Sequence, residues 1–249
     1  MFKIFLKFGV SIDFARVMEY NIGIYSKAWE EKMTAKYDNI LFDLDGTLTD
    51  PAEGITNSVA HALEKWNIHV EDKRELNKFV GPPLHAAFSE YYGFSEADAI
   101  KCVEYYREYF RDTGIFENKV YDGIAELLAE LRAAGKRLIV ATSKPEEFAV
   151  RILKHFSLYD YFDLVAGATM DSSRVKKADV IAYALENSGI TDLSRTLMVG
   201  DREHDILGAK AIGMDSLGVL FGYGSREELT NAGATYIAEK VSDISKFIL

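Results

Sequence analysis

The 249-residue chain carries 29 Lys and Arg against 39 Asp and Glu, a formal net charge of −10, with 48% hydrophobic and 27% charged residues. That length holds one large or two smaller domains with a sizeable core, while the acidic balance excludes sequence-independent nucleic-acid binding, which needs clustered Lys and Arg to replace phosphate counterions. The single cysteine, Cys102, excludes an intramolecular disulfide scaffold and argues against a structural zinc site.

Along the chain, the first ten residues are apolar but are interrupted by Lys3 and Lys7 and followed by Asp13 and Arg16. A membrane span needs about 20 apolar residues, and a secretory signal needs a longer uncharged core and a small-residue cleavage site. Neither pattern is present, so a cytoplasmic protein with no membrane partner is expected. Residues 1–36 form a leader without clear cap or turn, and Met33 is an alternative start.

From Tyr37 the texture changes. Asn39-Ile40-Leu41-Phe42 is a short apolar run that ends in Asp43-Leu44-Asp45-Gly46-Thr47, the pattern of a buried strand delivering carboxylates at its C-terminal end. Residues 54–120 interrupt with apolar positions at helical spacing: Val59, Leu63 and Trp66, then Phe88, Tyr91 and Tyr92, then Val103, Tyr106 and Phe110. This predicts a small all-helical insertion. Tyr105, Tyr106, Tyr109 and Phe110 could form a stacking platform for a base, but a face packed into a bundle is the simpler expectation. Four further strands are predicted at 137–142, 162–166, 196–201 and 216–220, alternating with helices at 123–134, 145–156, 177–188 and 204–212. Such alternation implies crossover units and a parallel sheet covered on both faces.

Ligands of an open parallel sheet collect at the carboxyl ends of its strands. Here those ends carry Asp43 and Asp45, then Thr142-Ser143, then Asp201 with Asp205 near the start of the next helix, while Lys176 or Lys177 opens the helix after the third main strand. Carboxylates converging on one crevice need a cation, and an all-oxygen donor set favours Mg²⁺, which also clamps phosphate. A calcium EF-hand beginning at Asp43 fails, because its sixth and twelfth places hold Leu48 and Gly54 rather than Gly and Glu.

Asp43-Leu44-Asp45-Gly46-Thr47-Leu48-Thr49-Asp50 resembles the first signature of the haloacid dehalogenase superfamily of phosphatases. Thr142 matches the hydroxyl of the second signature, a lysine at 176 or 177 the third, and Gly200-Asp201-Arg202-Glu203-His204-Asp205 the acidic fourth. The resemblance runs from about Tyr37 to the C-terminus. It implies an α/β fold: a Rossmann-like parallel sheet flanked by helices (37–53 and 121–249) with an inserted helical cap (54–120). Gly81-Pro82-Pro83-Leu84, Ala141-Thr142-Ser143-Lys144-Pro145, Lys177-Ala178-Asp179-Val180-Ile181 and Gly222-Tyr223-Gly224-Ser225 are most similar to bacterial 5'-nucleotidase-like and phosphoglycolate-phosphatase-related members.

The resemblance implies that Asp43 is the nucleophile that forms an aspartyl-phosphate, and Asp45 the general acid and base. Mg²⁺ would be held by the Asp43 side chain, the Asp45 main-chain carbonyl and Asp201, with Asp205 holding a metal-bound water or the lysine. Thr142, Ser143 and Lys177 would hold the phosphoryl group; Lys177 is preferred to Lys176 for its place before Ala178-Asp179, where relatives have Lys-Pro. Gly81, Pro82 and Pro83 form the candidate substrate-reading loop of the cap, which could equally be a helix-linking turn. The second aspartate disfavours a carbon–halogen dehalogenase, and the uncharged cap loop disfavours a β-phosphoglucomutase-like mutase. Phosphate-monoester hydrolysis on a small phosphorylated metabolite remains, a nucleoside 5'-monophosphate first and phosphoglycolate second, by a monomer or homodimer. A non-catalytic phosphate-binding protein of the same fold would be marked by loss of Asp43 or Asp45, and both are present.

Overall fold

In the computed structural model, which describes residues 4–5, 11–12, 36–171 and 173–249, two short antiparallel strands, β1 (Ile4–Phe5) and β2 (Ser11–Ile12), precede the main architecture. Met33, and most of the leader expected over 1–36, lie outside the described residues.

The main sheet contains β3 (Asn39–Phe42), β6 (Arg137–Pro145), β7 (Leu164–Ala168), β8 (Thr196–Gly200), β9 (Asp215–Val219) and β10 (Tyr236–Ala238). Their spatial order is β10-β9-β8-β3-β6-β7, and every pairing is parallel. The strands read as continuous apolar runs because both faces are covered. Ile40, Phe42, Leu138, Val140, Leu197 and Val199 point into one core, and Leu41, Ile139 and Met198 into the other. Each such side chain contributes about 1.5–3 kcal/mol on burial.

Helices α4 (Ile124–Ala133) and α5 (Glu146–His155) cover the first face, and α6 (Lys177–Ser188) and α7 (Glu203–Ile212) the second. A further helix, α8 (Arg226–Ala232), packs on α7. The central strand β3 lies between β6 and β8, so the C-terminal ends of these three strands open side by side. There the structure departs from the sequence expectation. β6 continues to Pro145 instead of ending at Thr142, and its register against β7 shifts between Ala141 and Pro145. The irregularity spans Thr142-Ser143-Lys144, and such bulges redirect side chains beside functional sites.

The insertion is helical: α1 (Ala52–Glu64), a 3-10 turn (Lys73–Phe79), α2 (Leu84–Tyr92), α3 (Glu96–Tyr109) and a π turn (Phe110–Gly114). α1 begins before Gly54 because Pro51, whose fixed φ suits a helix start, precedes it and Asp50 Oδ1 accepts the Ala52 N–H (3.2 Å). Two strands too short to give a periodic signal, β4 (Thr49–Asp50) and β5 (Lys119–Val120), pair antiparallel where the chain leaves and re-enters the sheet. Phe79, Phe88, Tyr91, Tyr92 and Phe94 form the aromatic centre of the insertion, with Phe79 and Phe88 centroids 5.0 Å apart. Among the described residues no helix is long and apolar enough to cross a membrane.

Candidate active site

Asp43 follows β3 directly. Its N–H donates to the Val199 carbonyl of β8 (2.9 Å), and its Oδ1 accepts the Leu44 N–H (2.8 Å), so the sheet register sets where this carboxylate points. The chain then turns at Gly46, whose φ of +83° is open to glycine. A Cβ there would lie 2.2 Å from Asp201 Oδ2, so the turn also needs a residue without a side chain.

Asp201, at the end of β8, is fully buried; its Oδ2 accepts the Tyr223 N–H (2.8 Å) and its Oδ1 the Thr47 hydroxyl (3.3 Å). Asp205 sits in the first turn of α7, where its Oδ2 accepts the Arg202 N–H (3.1 Å). One oxygen each of Asp43, Asp201 and Asp205 lie within 4.8 Å of one another, and all three residues are buried. Burial, then repulsion from Asp205 and Asp43, pushes the Asp201 carboxyl up to about 8. Burial likewise raises Asp205, against the pull of Lys177. Three buried acids gathered at one point, with only oxygen donors, fit a hard divalent cation.

Lys177, the first residue of α6, is buried with its Nζ 2.9 Å from Asp43 Oδ1, 2.7 Å from Asp205 Oδ1 and 3.1 Å from the Ala141 carbonyl, to which it donates. Burial disfavours its charge, but Asp205 and Asp43 more than reverse this and hold the lysine protonated. Lys176, the preceding N-cap residue, is exposed. Thr142 is buried, and its Oγ1 accepts the Lys144 N–H (3.2 Å); Ser143 lines the same cavity.

Asp45 stands apart from the three clustered acids. Its Oδ2 accepts from Lys144 Nζ at 2.6 Å, while its Oδ1 is buried without a hydrogen-bond partner. Burial raises its pKa and Lys144 opposes the shift.

These groups line a cavity of about 540 Å³ whose opposite wall is the insertion: Ile55, Phe79, Val80, Val103, Tyr106 and Phe110. Gly81, Pro82 and Pro83 border it, and Gly81 holds φ +101° against the Arg202 guanidinium. Tyr106 and Phe110 are both buried in the core of the insertion and stacked on each other (5.2 Å, 17°), as expected of a face packed into a bundle, and both also line the cavity. Tyr109 turns away to Glu117 Oε1 (2.9 Å).

Three contributors escaped sequence reasoning. Lys144 reaches Asp45 across 99 positions. Tyr223 supplies its main-chain N–H to Asp201 and its hydroxyl to Asp50. Arg202, anchored by Glu228 through Nε (2.8 Å), donates from Nη1 to the Val80 carbonyl of the insertion (3.1 Å). All three lie in segments whose similarity to relatives was visible, but no local pattern announces a partner so distant in sequence.

The family of haloacid dehalogenase-like hydrolases matches residues 40–219. A 5'-nucleotidase of Pseudomonas aeruginosa is 48% identical over 194 residues, covering 78% of this chain and 87% of that protein. A tyrosine-protein kinase of Mycobacterium tuberculosis, PtkA, is 42% identical over 198 residues, covering 80% of this chain and 67% of that protein. The crystal structure of a predicted phosphatase from Clostridium acetobutylicum superposes with a TM-score of 0.81 at 52% identity, covering 84% of this chain and 97% of that one.

Proposed function

We propose that this chain, which belongs to the haloacid dehalogenase-like hydrolase family, is a Mg²⁺-dependent phosphate-monoester hydrolase that works through an aspartyl-phosphate on Asp43. The phosphatase character follows from the family and from the relatives. The observation that carries the finer reading is the group Asp43, Asp201 and Asp205 around Lys177 at the open end of the sheet.

Asp43, Asp201 and Asp205, with the Asp45 main-chain carbonyl, are the residues that would hold Mg²⁺; when bound, the ion would neutralise charge on the phosphoryl oxygens. In the first step an Asp43 oxygen bonds to phosphorus, the bond to the leaving oxygen breaks, and Asp45 gives that oxygen its proton. In the second, water attacks the aspartyl-phosphate, passes a proton to Asp45, and releases Asp43 and inorganic phosphate. Lys177 keeps its charge beside Asp43 throughout, and the Thr142 hydroxyl with neighbouring N–H groups accommodates the phosphoryl oxygens. The wall of the insertion excludes water from the reacting groups.

A cavity of about 540 Å³ with Phe79, Tyr106 and Phe110 on one wall suits a substrate with a flat, weakly polar body. That favours a nucleoside 5'-monophosphate over phosphoglycolate. The test is a panel of nucleoside 5'-monophosphates, 2-phosphoglycolate, sugar phosphates and phosphotyrosine, each with and without Mg²⁺. Preference for nucleotides, dependent on the metal, is expected. Indifference to the nucleoside removes the substrate assignment, and metal-independent turnover removes the mechanism.

A further inference from the structure

The cavity holds one buried cation to which the two steps above give no part. The Lys144 side chain is 5% exposed, and its ammonium meets two opposed surfaces. On the core side it donates to Asp45 Oδ2 (2.6 Å); on the other, the ring of Phe110 lies 4.8 Å from it, centroid to nitrogen. Phe110 opens the π turn that ends α3, so insertion and sheet meet on this one ammonium. Its backbone is set separately, by the N–H bond to Thr142 Oγ1 within the irregular stretch of β6. Lys144 donates to one oxygen of Asp45 and so holds the carboxyl in place, leaving a proton on Asp45 to the other oxygen. What remains of Asp45 is Oδ1, buried and without a partner. An unsatisfied buried oxygen is unfavourable, and a bound group able to share a proton with it would offset that.

We infer that Lys144 is the positioning residue of the general acid: clamped between Phe110 and Asp45 Oδ2, it fixes the carboxyl so that Oδ1 faces the leaving oxygen. The inference rests on Asp45 being the acid and base of the proposed function. In the first step the Asp43–phosphorus bond forms, the bond from phosphorus to the leaving oxygen breaks, and the proton on Asp45 moves to that oxygen. Lys144 gains and loses nothing; it sets the direction from which the proton comes. Because Phe110 belongs to the insertion, the clamp on Lys144 draws one contact from each wall of the cavity.

Proton donation matters in proportion to the basicity of the leaving oxygen, and kcat/KM reports steps up to the departure of the leaving group. The experiment therefore compares kcat/KM for p-nitrophenyl phosphate, whose leaving group departs readily, with phenyl phosphate, whose leaving phenol has a pKa of about 10, like tyrosine. The two are nearly the same size, so recognition of the alcohol drops out of their ratio. In Lys144→Met the phenyl to p-nitrophenyl ratio is expected to fall about tenfold or more, and in Lys144→Arg to return to within about threefold of the wild type. Phe110→Leu, altered from the other side of the cavity, should lower the ratio about threefold. An equal loss on both substrates in Lys144→Met would make the lysine a phosphate ligand instead and overturn the inference; so would an unchanged ratio. Should that variant not fold, an unchanged ratio in Phe110→Leu overturns it. Asp45→Asn separates the premise: if it cleaves phenyl phosphate as the wild type does, the assignment of Asp45 itself has failed, whereas its inactivity beside an unchanged ratio in Lys144→Met defeats the role of Lys144 only.

Discussion

The two walls of the cavity are built on different principles. The sheet side presents Asp43, Asp45, Asp201, Asp205, Lys144 and Lys177, each at or just past a strand end or in a first helical turn and tied by hydrogen bonds or ion pairs to its neighbours. The insertion side presents Ile55, Phe79, Val103, Tyr106 and Phe110, held by apolar packing. Its polar tie to the acidic loop is the bond from Arg202 to the Val80 carbonyl. Groups that must act within tenths of an ångström sit where backbone register places them, whereas groups that select a molecular shape sit on a surface that can repack. Changes on the sheet side should therefore strike the rate, and changes on the insertion side, Phe110 apart because it touches Lys144, the apparent affinity.

The hardest blow to that contrast would be activity without the first acid. Asp43→Asn is expected to lower kcat at least about 10³-fold with an unchanged circular dichroism spectrum; near-normal turnover would move the chemistry elsewhere. Next in size, Lys177→Met removes the cation shared by Asp43 and Asp205. A loss of about 10²-fold in kcat is expected, together with about 3 kcal/mol of stability in metal-free buffer, measured by urea denaturation, because buried carboxylates lose their partner.

Removal of metal gives a pH-dependent effect of intermediate size. The Asp201 pKa is about 8 in the folded, metal-free protein, against about 3.9 for an unfolded aspartate. The folded state thus holds the proton more tightly, and the resulting stabilisation, full below about pH 4, is lost as pH rises toward 8. The Tm of the metal-free protein should fall between pH 5 and pH 8, and Mg²⁺ at about 100 times its Kd should restore about 5–10 °C at pH 8. The gain should be smaller at pH 5, where protons compete for the same oxygens. A gain independent of pH would show that Asp201 is not among the ligands.

The smallest effect belongs to the tie between the walls. Arg202→Met removes the bond to Val80, worth about 1 kcal/mol, so KM should rise about fivefold while kcat stays within about twofold. A fall in kcat with constant KM would place Arg202 on the chemical side of the comparison.

Much of the site was legible as residues and little of it as contacts. Asn39 to Phe42 announced a buried strand because a doubly covered strand must be apolar throughout, and Asp43 and Asp45 stood out because acids directly after such a run have no packing role. Helix α6 was placed at residues 177–188, the span observed. By contrast, β4, β5 and β10 are two or three residues long, below the length at which alternation can be recognised. The extension of β6 through Ser143, Lys144 and Pro145 was hidden because a bulge depends on the register of the neighbouring strand.

The sequence by itself determined the order of elements, the family, and which side chains carry charge to the ends of the strands, since these depend on local periodicity and on residue identity. Tertiary structure decided that Lys177 rather than Lys176 enters the acidic cluster, that Tyr223 supports Asp201, and that Lys144 lies between Phe110 and Asp45. The physical reason is the same in each case. Electrostatic and hydrogen-bond partners are chosen by distance in space, and only the assembled sheet and the insertion folded over it bring residues so far apart in the chain within about 3–5 Å.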